Sequence, residues 1–139
     1  MNIFEKIINR EIPAKIIWES ETHLAFLDIN PIQDGHTLVI PKKYIDYIFD
    51  MNDEDYIDLM LASREVAKLL KSKLECKRVC VIVEGYAVPH AHVHLIPTNS
   101  DADLKRNPVG DFAKSENRKR ELVENDSVKL EEAYKKIVK

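Results

Sequence analysis

The sequence predicts an α+β fold: a five-stranded antiparallel sheet with one long and one short helix, followed by a C-terminal helical tail. Three observations carry this expectation. Five short runs are rich in branched and aromatic residues, with turn-forming residues between them. Apolar residues at helical spacing precede the first run and separate the third from the fourth. Beyond Pro97 the composition turns polar and charged before a last amphipathic stretch.

Over residues 2–9, Ile3, Phe4, Ile7 and Ile8 recur at helical spacing. Glu11-Ile12-Pro13 ends that helix, because a residue before proline is pushed out of the α region. Strands are expected at 15–19, 24–29 and 36–40, a meander whose links, 20–23 and 30–35, contain Asn30-Pro31 and Asp34-Gly35. His23, in the first link, is expected to be solvated. Asn52 caps the longest helix, which runs to about Lys73 with Asp53, Glu54 and Asp55 at its positive end. Its apolar stripe of Ile57, Met60, Leu61, Ala67, Leu70 and Leu74 suits a sheet, a partner subunit or both. Strands at 78–84 and 90–96 follow, the second closed by Pro97. A polar stretch broken at Pro108-Val109-Gly110 leads to Ser127, read as the cap of a last helix marked by Leu130, Ala133, Tyr134 and Ile137. The expected division is one domain over 1–97 and a charged extension over 98–139, folded onto the core or onto a partner.

Composition removes several functional classes. With 139 residues the chain is long enough for one core. Twenty-one Lys+Arg against 24 Asp+Glu, a net charge of −3, give no bulk attraction to nucleic acid or to an acidic membrane. No apolar run approaches the ~20 residues of a membrane span. Glu5, Lys6, Arg10 and Glu11 interrupt any secretory leader. Cys76 and Cys80 have neither disulfide-framework nor zinc spacing and suit reduced thiols in a cytoplasm. The three glycines are not clustered, so no glycine-rich phosphate loop is expected.

The chemistry concentrates in His90, His92 and His94, at i, i+2 and i+4 of an expected strand. Side chains alternate across a strand, so all three imidazoles share one face while Ala91, Val93 and Leu95 take the other, and neighbouring rings stand ~6.5–7 Å apart. Such a row titrates as a coupled set, some rings neutral and some charged. That mixture suits phosphoryl or nucleotidyl transfer: a neutral ring attacks phosphorus while protonated neighbours hold oxygens and protonate the leaving group. It would also suit a metal, although the sequence offers no neighbouring carboxylate or cysteine and only His36 as an obvious extra ligand. A polar sheet face with incidental histidines is the third reading.

The run His90-Ala91-His92-Val93-His94-Leu95-Ile96-Pro97 resembles the histidine triad, His-φ-His-φ-His-φ-φ with φ apolar. It is similar to the Hint branch of the HIT nucleotide hydrolases and transferases. Ile3-Phe4, Glu11-Ile12-Pro13-Ala14-Lys15, Ala25-Phe26-Leu27-Asp28-Ile29 and Gly35-His36-Thr37-Leu38-Val39-Ile40-Pro41-Lys42 fall in the family's order, so the resemblance covers residues 2 to about 97. It implies His92 as nucleophile, forming a nucleotidyl-histidine that water later cleaves. His90 and His94 would bind the α-phosphate and assist proton transfer, with His36 supporting them from the neighbouring strand. Asp28 would accept hydrogen bonds from the ribose. Phe4, Ile7, Phe26, Ile29 and Val88 would hold the base. Read from the residues alone, Asp28 equally suits a turn, and the apolar four suit a plain core.

The resemblance further implies purine nucleotide substrates carrying an α-phosphate substituent, phosphoramidates or dinucleoside polyphosphates. It implies a homodimer built on the 52–73 helix and a sheet continued across a two-fold axis. No metal cofactor is expected, Mg²⁺ entering only as a substrate counter-ion. No zinc is expected either, since the cysteines stand elsewhere than in zinc-bearing relatives. One departure matters. Where many Hint-like members read Gly-Gln-Ser/Thr-Val before the triad, this chain reads Gly85-Tyr86-Ala87-Val88, and an asparagine common earlier in that loop is missing. Ala87 cannot donate a hydrogen bond, which opens the alternative of a nucleotide-binding or scaffold protein with little turnover, beside the metal-dependent hydrolase.

Overall fold

The computed structural model describes residues 1–105 and 124–139. Helix α1 spans Ile3–Ile8, strand β1 Ile16–Glu19, β2 His23–Leu27 and β3 Thr37–Pro41. A single 3₁₀ turn at Ile48–Asp50 leads to α2, Asp53–Leu74, then β4, Arg78–Ile82, and β5, Val93–Thr98. Short α3, Ala102–Lys105, and α4, Glu124–Val138, follow. The strands form one antiparallel sheet in the order β1-β2-β3-β5-β4. This is the α+β architecture that the sequence predicts.

Both faces of the sheet are covered, and strand alternation explains how. Ala25, Leu27, Val39, Val93 and Leu95 pack into one core with Leu59, Val66 and Leu70 of α2 and Ala133 and Ile137 of α4. On the opposite face Leu24, Phe26, Leu38 and Ile40 meet Phe4 and Ile7 of α1. Leu38 pairs with His94, and paired residues share a face, so His94 stands on the α1 side while Val93 and Leu95 anchor its strand beneath.

Both long-helix signals act as expected at the start of α2: the Asn52 side chain accepts from the Asp55 N–H, 2.8 Å away. The buried stripe differs from the expected one. Leu59, Ala62, Val66 and Leu70 face the sheet, while Ile57 and Leu61 remain 52% and 46% exposed. A 22-residue helix carrying two apolar stripes buries the one whose i, i+3, i+4 spacing meets the sheet and leaves the other outward.

Five boundaries also move. Asp28 lies beyond β2, and His36 precedes β3. His90 and His92 lie outside β5, which starts at Val93. The segment before it is tied to loops instead: His90 N–H donates to Val88 O and Ala91 N–H to Ile45 O. Pro97 lies within β5 rather than closing it, paired with Val79 of β4. Pairing with β3 reaches only Leu95, so the ring and its missing N–H sit where that side is open. Helix α4 starts at Glu124, so Ser127 lies inside it, exposed, where a hydroxyl costs a helix little. The tail does fold onto the core, through Ala133 and Ile137. The break expected at Pro108-Val109-Gly110 lies outside the described residues.

His23 is a further correction. It opens β2, is 5% exposed, and bonds Thr22 Oγ1 through Nδ1 at 2.8 Å. Burial holds its imidazole below the ordinary histidine value, partly offset by Asp58 and Asp55.

Candidate functional site

Every histidine of the row is buried. His90 and His92 lie in the connection before β5 and His94 within it, and each proton can be located from groups with only one hydrogen-bonding role. A backbone N–H only donates and a carbonyl only accepts. His92 Nδ1 lies 2.7 Å from the His90 carbonyl, so Nδ1 carries the proton and Nε2 carries the lone pair. His90 Nε2 lies 2.8 Å from Pro41 O, so its proton is on Nε2 and Nδ1 accepts from the Asn2 amide at 3.3 Å. The Ile32 N–H donates to His36 Nδ1 at 3.0 Å; His36 therefore carries its proton on Nε2 and donates to His94 Nδ1 at 2.9 Å. That in turn places the neutral His94 proton on Nε2.

The rings converge more tightly than a regular strand allows. His92 and His94 centroids are 4.8 Å apart, with planes at 63°, rather than the ~6.5–7 Å expected, because the chain at His92 has left the strand ladder. Phe4 stands edge-on to His92 at 4.9 Å and to His90 at 6.0 Å. Tyr44 meets His90 at 5.7 Å from the other direction. Burial pushes His90 below the ordinary histidine value, against the Pro41 carbonyl and Glu5, which favour its charged form.

A cavity of about 260 Å³ opens beside the row. Phe4, Ile7, Phe26, Ile29, Val88 and Asp28 all line it, so the structure brings the expected base and ribose residues around one space. Asp28 makes the turn contact that its place before Asn30-Pro31 suggests, and it also lines the cavity. Oδ1 accepts from the Asn30 N–H at 2.8 Å, a turn contact, while Oδ2 lies 3.6 Å from His36 Nε2. Phe4, Ile7 and Phe26 are buried in the core on this face while forming the cavity wall, and Ile29 alone of the four is half exposed.

Three participants escaped the sequence reading. Asn2 caps α1, its Oδ1 accepting from Glu5 N–H, which leaves the amide nitrogen to reach His90. The Asn-x-x-Glu capping pattern is visible in sequence, but its contact 88 residues away is not. Tyr44 gave no signal. Glu84 is the third, and it corrects the expectation that no carboxylate stands near the row. Glu84, His92 and His94 offer ligand-capable atoms within 4.8 Å of one another, as do Asp28, His36 and His94.

Those two groups test the metal reading. A metal in the second would displace the His36–His94 hydrogen bond, and one in the first would need the proton off His94 Nε2. The Ile32 N–H enforces both protons. Before a metal could bind in either group, a ring nitrogen that this hydrogen bonding leaves protonated would have to give up its hydrogen.

The HIT domain family model matches residues 9–101. An uncharacterized HIT-like protein of Methanocaldococcus jannaschii is 43% identical over 102 residues, covering 70% of this chain and 78% of that one. The adenosine 5′-monophosphoramidase HNT1 of Saccharomyces cerevisiae is 37% identical over 102 residues, covering 71% and 63%. Among solved structures, a Hit-like protein of Bartonella henselae superposes with a TM-score of 0.75 at 30% identity, over 99% of this chain and 94% of that one.

Proposed function

Because this chain belongs to the HIT domain family, we propose that it is a nucleotide hydrolase or transferase, cleaving at the α-phosphate of purine nucleotide conjugates, phosphoramidates or dinucleoside polyphosphates. The carrying observation is the 2.7 Å bond from His92 Nδ1 to the His90 carbonyl. It leaves Nε2 unprotonated on a buried ring, which is what a neutral nitrogen nucleophile requires. The base enters the cavity lined by Phe4 and Phe26, with Asp28 at the sugar. His92 Nε2 forms an N–P bond as the bond to the leaving group breaks with its electron pair, and the His94 Nε2–H supplies the proton. Water then forms the O–P bond, the N–P bond breaks, and His92 regains its lone pair while His94 recovers a proton.

The test is AMP release from adenosine 5′-phosphoramidate and from diadenosine tetraphosphate in excess EDTA, with His92→Ala as control. EDTA-resistant release that the variant loses supports the reading. Loss of release to EDTA with the phosphoramidate would instead support a metal-dependent hydrolase.

A second reading, a nucleotide-binding or scaffold protein, is favoured by Ala87, which brings a methyl where relatives place a hydroxyl; losing one transition-state donor costs ~10²-fold in rate. Tight binding of AMP with no turnover of either substrate would select it.

The chain is proposed to act as a cytoplasmic homodimer. Ile57 and Leu61 on α2 and Val81 on the edge strand β4 leave apolar side chains outward. Acidic Asp53, Glu54, Asp55 and Asp58 fill the first half of α2, and Arg64, Lys68, Lys71 and Lys73 the second, so an antiparallel copy of the helix would pair opposite charges. No helix among the described residues is long and apolar enough to cross a membrane.

A further inference from the structure

A second cleft, of about 470 Å³, opens on His92 and shares no lining residue with the base cavity. Phe4 stands between the base cavity and the His92 ring. A nucleotide seated with its base in the first space and its phosphorus at His92 therefore has the second space for whatever phosphorus carries away. Two carboxylates, Asp46 and Glu84, line that space, with four rings: Tyr47, Phe49, Tyr56 and Tyr86. Among the described residues that line it, none is lysine or arginine.

The chemistry of those walls is one-sided. Polyphosphate leaving groups need cations or N–H donors to offset their charge, and here two carboxylates would repel them. Carboxylates and electron-rich ring faces together attract an ammonium group, the carboxylate by charge and the ring by its quadrupole. Three of the chain's five tyrosines stand here, and Tyr47, Phe49, Tyr56 and Tyr86 are all exposed, although exposed aromatic surface is costly without a use. Glu84 is the better placed acid: its carboxylate lies within 4.8 Å of ligand-capable nitrogens of His92 and His94, beside the bond that breaks. Gly85, with φ at +78° and nothing within 4 Å of where a Cβ would stand, lets the backbone turn directly after it.

We propose that this cleft is a leaving-group subsite for a cationic amine, with Glu84 its specificity-determining residue and Asp46 a second, outer acid. The proposal rests on the nucleotidyl-transfer reading above. In the step it describes, His92 Nε2 bonds to phosphorus and the P–N bond breaks with its pair on the amine. That nitrogen takes the His94 proton, and the diamine leaves past Glu84 with its distal ammonium intact. Water completes hydrolysis, so a P–N bond and one water become AMP and a free amine with no redox change.

The test compares two AMP phosphoramidates of similar size, one N-(3-aminopropyl) and one N-(2-carboxyethyl), with diadenosine tetraphosphate as a polyanion. The cationic compound should exceed the anionic one in kcat/KM by about ten- to a hundredfold, the scale of one charge contact at partial screening. Glu84→Gln, nearly isosteric, should reduce that ratio at least about tenfold, and Asp46→Asn by less. An unchanged ratio in Glu84→Gln, or a wild-type preference for the anionic compound or the polyphosphate, overturns the proposal. If no compound releases AMP, the hydrolase reading falls, and equilibrium binding of the same pair to wild type and Glu84→Gln decides the cleft by the same ratio.

Discussion

His36 donates from Nε2 to Nδ1 of His94 across 2.9 Å, and it does so because the Ile32 N–H has already claimed the other nitrogen of His36. The proton on the far side of His94 is thus set by a backbone amide two rings away. Replacing His36 with leucine should strand the buried Ile32 N–H, at a cost of about 1–3 kcal/mol. It should also lower kcat about ten- to a hundredfold, the range in which such supporting contacts act. His36→Gln offers an oxygen to Ile32 and an amide N–H to His94, and should recover part of both. Urea unfolding and single-turnover kinetics separate the two effects; equal kcat in the leucine variant would remove His36 from the relay.

Asn2 joins a helix cap to His90. Asn2→Ala should lose both contacts, with about 1 kcal/mol of stability gone. Asn2→Ser retains an acceptor for the Glu5 N–H but cannot reach His90 with an amide. It should melt near wild type while the acidic limb of kcat moves upward in pH, because an N–H donated to Nδ1 favours the neutral imidazole. An unmoved limb in the serine variant would mean that Asn2 serves the helix alone.

His23 and His90 are both held below the ordinary histidine value by burial. In this direction the unfolded chain binds the extra protons, so the stability these rings contribute is complete above pH ~6.5 and is lost as pH falls from there toward their folded values. The urea midpoint should therefore drop between pH 7 and pH 5. His23→Leu, outside the row of imidazoles, should flatten that drop; an identical slope would show that His23 carries none of it.

Gly35 has φ at +87°, and a Cβ there would stand 2.4 Å from Leu74 Cδ1 and 3.3 Å from Pro97 Cγ. Gly35→Ala combines left-handed backbone strain with overpacking, together about 2–4 kcal/mol. The Leu74→Ala background should relieve the packing share. Calorimetric melts of the single and double variants check this, and additive losses would deny the contact.

Leu61→Glu and Val81→Glu place charge among the apolar side chains assigned to a second copy, on residues 46% and 51% exposed. Each should halve the mass measured by sedimentation equilibrium without lowering the melting temperature of the resulting monomer by more than a few degrees. A wild-type chain that sediments as a monomer would remove the dimer.

Much of the fold is legible in local sequence because local physics decides it. The Asn52 cap, the proline at 13 and the alternation through β2, β3 and β5 need only neighbours within a turn or two. The site is less legible in proportion to chain separation. That His92, His94 and His36 meet could be read, since the first two share a strand period and the third precedes the strand beside them. That His90 and His92 leave the ladder depends on Ile45, whose carbonyl takes the Ala91 N–H, and on Pro41 at the end of β3, whose carbonyl takes the His90 ring N–H. His23 carries turn signals on every side, yet is buried at the start of β2 with charges of α2 close enough to shift it. Glu84 reads as the polar end of a strand, and it is the antiparallel register of β4 on β5, with Ile82 opposite His94, that carries it beside His92 and His94.

Helix α4 places Ile137, 1% exposed, and Ala133 in the same core as Ile17, Val39 and Leu70, and Lys15 of the first strand's approach pairs with Glu131. The order of synthesis then differs from the order of completion. The sheet and α2 are made first, but the outer side of β1 stays uncovered until residues beyond 130 have emerged. The nascent chain must wait with that apolar surface open, so the interval before α4 docks is when this protein is most exposed to misassembly.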